Sequence, residues 1–427
     1  MSLNHCEVAI VGAGAAGLFA AIFAGRTTSG GVVAFDGAKR LGAKILIAGG
    51  GRCNVTHDVV RPEDFSGDTT RGATRNAVKK VLRSFTVEDT IDFFRGRGVE
   101  LKREETGKLF PTTDRARTVL EALVGACREA GAVLRTEHRV TGVERRDDGA
   151  FEVTTSQGVF VARRVVLCTG GLALPKTGSD GFGYAIARSL GHTVTPTWPA
   201  LVPLVLPPEV DGRGHWLTGL KGVATDAELT LADAASGKVA RRQAGAVLFT
   251  HFGVSGPAVM DLSRHFGGDW ADGRWRLTAN LRPGETSATL DAELLERART
   301  QPGRTVSQVV REWLPERLAV AAVEHGAEVD PATPLAQLPK GDRRRLVQTL
   351  TALPLPVSAD RGYEYAEVTA GGVPLEEVNL STMASRVCPG LYLAGEVLDV
   401  DGRIGGYNFQ WAWCTGRLAG LGAGKAD

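Results

Sequence analysis

Gly12-Ala13-Gly14-Ala15-Ala16-Gly17 follows an apolar run, residues 6–11, and opens an Ala-rich stretch that reaches Gly25. A short apolar run in this position reads as a buried parallel strand, and the stretch after it has helical spacing. In that setting each glycine has its own task. Gly12 makes the turn out of the strand, Gly14 lets a pyrophosphate approach the backbone, and Gly17 lets helix and strand pack closely. Ala15 and Ala16 lie in the first helical turn, whose free N–H groups and partial positive charge suit phosphate oxygens. A second apolar run, residues 32–35, ends at Asp36, where a carboxylate accepts hydrogen bonds from a ribose diol. This is the opening βαβ unit of a doubly wound α/β sheet that binds a dinucleotide.

Working outward, two features favour FAD over a nicotinamide. Leu391-Tyr392-Leu393-Ala394-Gly395-Glu396 is an apolar strand that ends in Gly-acid near the end of the chain. In flavoproteins of the two-dinucleotide-binding-domain type, such a return strand brings an acid to the middle of FAD. Residues 138–169 read as a β-meander with turns at Asp147-Asp148-Gly149 and Gln157-Gly158. That meander is the flavoprotein form of the crossover. No second strand–GxGxxG–helix unit is present, so a reduced nicotinamide, NAD(P)H, is expected only as a transient reductant.

The chain has 427 residues, of which 54 are glycine. Two or three domains are expected at this length. Prolines at 199, 203, 207 and 208 mark a boundary, and the glycine-rich style returns late in the chain. The expected organisation is an FAD-binding domain over 1–198 plus 355–427, an inserted β-rich substrate domain over 199–285, and a helical segment over 286–354. Residues 37–60 read as glycine-rich loop, and residues 73–131 read mainly as helix.

Net charge is +2 with both signs interspersed, so no nucleic acid and no anionic membrane is expected as a partner. The six cysteines form no CxxC pair and read as reduced thiols of a cytoplasmic protein. No stretch reaches membrane-spanning length. The eight histidines make no ligand-spaced group, so no metal is expected. The basic run Lys340-Gly341-Asp342-Arg343-Arg344-Arg345 reads as a solvated helix face, with RNA contact as the alternative.

The stretches VGAGAAGL, GGGRCN and GGYNFQ, with TGGLALPKTGSDGFGYAIARSLGH and GLYLAGEVLDVDGRIGGYNFQWAW, run through the whole chain. Through them the sequence resembles the bacterial NAD(P)/FAD-dependent oxidoreductase flavoproteins that include BaiN and the aminoacetone oxidases. The resemblance implies a doubly wound FAD-binding domain of the two-dinucleotide-binding-domain type, with an inserted β-barrel-like domain and a small helical segment. It implies that Lys44 lies near the cofactor phosphates or ribose, and that Ala48, Gly49, Gly50 and Asn54 pass along the flavin. Val140 would meet the adenine, Thr169 and Gly170 would line the adenosine side, and Gly395 and Glu396 would hold the centre of FAD. Gly405, Gly406, Tyr407 and Asn408 would contact the flavin's pyrimidine edge, at the start of a helix.

Catalytic candidates are His251, Tyr407 and Arg403. His251 stands where a strand gives way to a turn and has the chemistry of a proton carrier; a structural histidine is the alternative. Tyr407 reads equally as a substrate contact or a packed ring. Arg403 and Arg52 read as anion holders or as structural ion pairs. Cys53 has no second cysteine nearby, so it reads as a packed thiol. The expected activity is that of an FAD-dependent oxidoreductase on a small molecule, with flavin N5 as hydride acceptor or donor and NAD(P)H or oxygen completing the cycle. The alternatives are an RNA-modifying flavoprotein and a non-catalytic flavin-binding sensor.

Overall fold

Val8, Ala9 and Ile10 are fully buried, and they form the middle of strand β1 (His5–Val11) in the computed structural model. The structure describes residues 5–67, 71–208, 215–267 and 273–425. Helix α1 (Ala15–Gly25) and strand β2 (Val32–Phe35) complete the opening unit. Helix α2 (Ala43–Gly51) follows where the sequence suggested loop. Its glycines conceal it. Gly42 caps it in a left-handed conformation, and Gly49 and Gly50 then break it at φ of 57° and 68°.

Residues 71–129 hold three helices, α3 (Arg71–Leu82), α4 (Val87–Arg95) and α5 (Ala116–Glu129). They also hold two short strands, Leu101–Arg103 and Lys108–Pro111, which pair with each other and which the helical reading did not foresee. Strand β3 (Val133–Arg135) returns to the main sheet. The meander follows as β4 (Val140–Arg145), β5 (Phe151–Thr155) and β6 (Gly158–Leu167). Next come α6 (Phe182–Ser189) and, near the end of the chain, β7 (Leu391–Leu393) and α7 (Tyr407–Gly424).

The sheet order is β3-β2-β1-β6-β7, extended by Ala384–Ser385 and Val378–Asn379. Strands β3, β2, β1, β6 and β7 are parallel to their neighbours in this path. The connections reverse direction between β1 and β6, and a crevice opens beyond the carboxyl ends of strands at such a point. Helix α7 packs on α1 through small residues. A Cβ on Gly416, Gly420 or Gly424 would lie 2.4, 2.5 or 2.8 Å from the carbonyl oxygen of Ala16, Ala20 or Ala24. The two backbones meet because both helices carry a small residue every fourth position. Buried His192 ties the end of α6 to the sheet edge, with Glu377 Oε2 at 2.6 Å from Nδ1 and Ser385 Oγ at 2.7 Å from Nε2.

These elements form one compact unit, Met1–Trp198 with Glu367–Asp427; Pro199–Ala366 form a second. The second unit is built on seven antiparallel strands, from Leu353–Leu355 at one edge to Ala359–Asp360 at the other. Leu355 and Ala359 are four residues apart, so at most ~14 Å of chain joins edges that a flat seven-strand sheet would hold ~29 Å apart. The sheet must therefore roll towards a barrel. The helices Ser287–Thr300 and Lys340–Ala352 bury Leu290, Leu294, Leu346 and Leu350 in the same core as Leu229, Leu231, Val247 and Phe249 of the strands. Strands and helices of 199–366 thus share one core. The chain re-enters the first unit at 367 rather than 355, because Leu353–Leu355 pairs with Trp275–Asn280 and Ala359–Asp360 pairs with Leu204–Val205.

Candidate cofactor site

The fingerprint glycines stand where backbones collide. A Cβ on Gly12 would lie 2.5 Å from the Cys168 carbonyl oxygen, at the end of β6, and one on Gly17 would lie 1.8 Å from the Gly12 carbonyl oxygen. Gly14 differs, because nothing lies within 4 Å of its Cβ position. The open space is where a ligand can reach the backbone. Gly14 also starts α1 without a side-chain cap, and no acidic residue occupies the first turn. Orphan N–H groups and a positive helix end therefore face the crevice.

Asp36 stands at the end of β2. Its Oδ2 accepts from Ala13 N–H at 3.1 Å and its Oδ1 from Ala38 N–H at 2.8 Å. Burial pushes its carboxyl above the ordinary range, opposed by these two N–H groups and by Arg139. Each carboxylate oxygen retains a lone pair for a diol.

At the centre, Lys44 of α2 and Glu396 after β7 form an ion pair of 2.7 Å. Glu396 Oε1 also accepts from Thr369 N–H at 3.0 Å, and Thr369 Oγ1 accepts from the N–H groups of Leu172 and Ala173. Thr369 thus links the Thr169-Gly170-Gly171 turn to the return strand. Sequence reasoning assigned it no role, although it stands beside Gly371-Gly372. Gly395 N–H donates to Thr415 Oγ1 at 3.0 Å, which is a second unforeseen support, on the buried face of α7.

The run Ala48–Asn54 is held by left-handed residues. Gly51 has φ 84°, and Cys53, which is not glycine, has φ 62°. The turn lays the Asn54 amide nitrogen 3.2 Å from the Cβ position of Gly49. Asn54 is 7% exposed, and its Oδ1 is buried without a hydrogen-bond partner among the described residues. A buried carbonyl left unpaired costs about 1–3 kcal/mol, so this atom asks for a donor from a bound group. Gly405 and Gly406 precede α7, which begins at Tyr407 and has no side-chain cap either. Asn408 is engaged locally; its Oδ1 accepts from Gly402 N–H and its Nδ2 donates to Gly402 O. Val140 is buried in β4, paired with Thr155. The open Gly14, the two uncapped helix starts, the carboxylate of Asp36 and the orphaned Asn54 oxygen fit a flavin dinucleotide.

The catalytic candidates divide. Tyr407 is buried, stacked on His57 at 4.9 Å and edge-on to Phe65. Arg403 lies 3.4 Å from Asp64 Oδ1. Arg52 lies 2.5 Å from Glu104 and 4.1 Å over the Phe110 ring. His251 belongs to the second unit, where it is exposed and edge-on to Phe252. Burial pushes the Cys53 thiol up to about 12, so it stays protonated and is a poor nucleophile. Among the described residues no three metal-binding side chains gather, and no helix is long and apolar enough to cross a membrane.

The family described as HI0933-like protein Rossmann domain matches residues 6–422. The "Ribosomal RNA dihydrouridine synthase" of Escherichia coli (strain K12) is 35% identical over 97% of this chain and 96% of its own. The "3-dehydro-bile acid delta(4,6)-reductase" of Clostridium scindens is 32% identical over 98% of this chain and 99% of its own. Among solved structures, a 3-ketosteroid-delta4-(5alpha)-dehydrogenase from Rhodococcus jostii RHA1 shares the fold. It has a TM-score of 0.50 and 16% identity, over 99% of this chain and 98% of that one.

Proposed function

The chain belongs to the HI0933-like family of FAD-dependent oxidoreductases, and from that premise we propose that it reduces a carbon–carbon double bond conjugated to a carbonyl. The observation that carries the cofactor part is the crevice beyond β1 and β6, where an open Gly14, an uncapped α1 and Asp36 meet. The reaction class is supported by the names of the two relatives. A dihydrouridine is a uridine with one ring double bond saturated, and a delta(4,6)-reductase of a 3-dehydro compound saturates double bonds in conjugation with a ketone.

FAD, when bound, supplies the hydride. The chain does the rest. The start of α1 and Asp36 hold the adenosine and pyrophosphate half, and the Lys44–Glu396 pair, braced by Thr369, fixes the middle. The turn Ala48–Asn54 and the start of α7 position the ring. The positive end of α7 favours negative charge at the pyrimidine edge. His251, an exposed residue of the second unit, is a proton-donor candidate by its residue type alone.

Uracil in ribosomal RNA is the favoured substrate, since the relative of that name is the more similar of the two compared over nearly its whole length. The expectation of no nucleic acid rested on a net charge of +2, which describes the sum and not the local distribution. A small conjugated ketone is the second reading, favoured by the 32% identity to the bile-acid reductase.

The test is anaerobic. The FAD-loaded protein is bleached with NADH or NADPH, then offered either protein-free ribosomal RNA or a conjugated steroid ketone. Return of the oxidised spectrum with RNA, with dihydrouridine found by mass spectrometry, supports the first reading. Return with the ketone alone supports the second. A reduced flavin that neither acceptor reoxidises, while air does, contradicts both and points to an oxidase.

A further inference from the structure

Outside the cofactor residues, three arginines of the first unit converge on one aromatic cluster. Arg26 Cζ lies 5.3 Å and Arg417 Cζ 5.4 Å from the centre of the Phe23 ring. Arg97 Cζ lies 3.8 Å from the centre of Phe93, whose ring is 6.4 Å from that of Phe23. Several arginines elsewhere are closely paired. Arg297 sits between Glu293 and Glu312, and Arg343 reaches Asp291.

Here the pairing fails. Among the described residues none of Arg26, Arg97 and Arg417 makes an ion pair, and the exposed Arg26 side chain makes no hydrogen bond. Arg97 donates to the Phe93 carbonyl at 2.8 Å, yet its Nε is buried without a partner. Glu129 acts on Arg97 beyond ion-pair distance, and burial and then the charge of Arg26 hold the Arg97 pKa below its usual value. Arg417 donates to the Ser84 carbonyl at 3.0 Å, which places it at the end of α3. Lys79, Lys80 and Arg83 stand there, exposed and also without ion pairs among the described residues.

Positive groups gathered this closely repel one another, and a buried N–H without an acceptor is costly. An anion relieves the repulsion. Guanidinium groups lying on aromatic faces keep their N–H edges free, and those edges match phosphate oxygens in geometry and charge. Resting on the ribosomal reading above, we propose that Arg26, Arg97 and Arg417, continued by the basic end of α3, hold the phosphate backbone of the RNA substrate. The contact carries no base sequence; it positions the RNA and adds salt-dependent affinity.

The test is fluorescence anisotropy of the FAD-loaded protein with a labelled oligouridylate across a salt series. Arg26→Gln/Arg417→Gln is compared with wild type. Arg26→Glu serves as a second variant, because that exposed side chain makes no hydrogen bond or ion pair among the described residues and meets only the Phe23 ring, so flavin content should stay unchanged. The double variant is expected to bind at least about tenfold more weakly at low salt, with a log–log salt slope shallower by about 1.4, two contacts at ~0.7 each for a single strand. Unchanged affinity and slope in both variants, with wild type binding, overturn the patch and leave the ribosomal reading standing. No salt-dependent binding by wild type overturns both. Weakened binding in the variants, in a protein that forms no dihydrouridine, supports the patch and overturns the ribosomal reading alone.

Discussion

The glycines of the two units live in different surroundings. In the first unit, Gly12, Gly17, Gly416 and Gly420 each face a carbonyl oxygen within 2.5 Å of where a Cβ would sit. In the second, Gly219, Gly222, Gly237, Gly284 and Gly303 meet nothing within 4 Å, although Gly253, Gly256 and Gly326 are tight. A neighbouring backbone demands glycine at those four positions of the first unit, where Gly98, Gly131, Gly158 and Gly178 are open, and mainly turns use it in the second. Demand of the first kind leaves a spaced motif in the sequence; the second kind leaves only punctuation. That is why the opening βαβ unit stood out in the sequence while the second unit yielded little beyond strands and helices.

Substitutions can break or sharpen this contrast. Gly17→Val should abolish flavin binding and folding together, seen as colourless, aggregated or protease-sensitive protein. Asp36→Asn removes a charged acceptor worth about 1.5–3 kcal/mol, so FAD should bind roughly 10- to 100-fold more weakly by flavin fluorescence quenching. The sign with pH follows from its raised carboxyl. The folded protein protonates Asp36 at a higher pH than the unfolded chain does. The burial penalty is therefore full above the folded value, and it shrinks as pH falls through that value towards 3.8. FAD affinity, which uses the carboxylate, should weaken over the same acid range in wild type, and Asp36→Asn should lose that pH dependence.

Gly420→Ala forces α1 and α7 apart and should cost about 1–3 kcal/mol in urea unfolding, with flavin content falling less than in Gly17→Val. In the second unit, Gly341→Ala, in the exposed first turn of the helix Lys340–Ala352, should instead stabilise by about 0.5–1 kcal/mol. The smallest effect is expected at Cys53. Its thiol is held protonated by burial, so Cys53→Ser should change the flavin reduction rate less than about twofold.

Sequence pattern carried the opening βαβ unit and the return strand, because buried parallel strands are continuous apolar runs, and the meander, because turn residues separate its strands. It missed α2, where Gly42, Gly49 and Gly50 look like loop yet cap and kink a helix. The late re-entry at 367 was hidden too, since Leu353–Leu355 and Ala359–Asp360 are strands of only three and two residues, too short to show a period. The stripe Gly416, Gly420, Gly424 was visible at a period of four, and so was its partner Ala16, Ala20, Ala24. Its meaning needed both helices at once. Thr369 and Thr415 left no signal, because a hydroxyl that accepts a distant N–H looks like any other threonine.

The central claim is that the first unit holds FAD, and the visible absorbance spectrum of the purified protein tests it directly. After reconstitution with FAD and removal of the excess, the account predicts a protein-bound flavin spectrum at one FAD per chain, absent from Gly17→Val and readily lost from Asp36→Asn. A folded wild-type chain that retains no flavin under these conditions would contradict it.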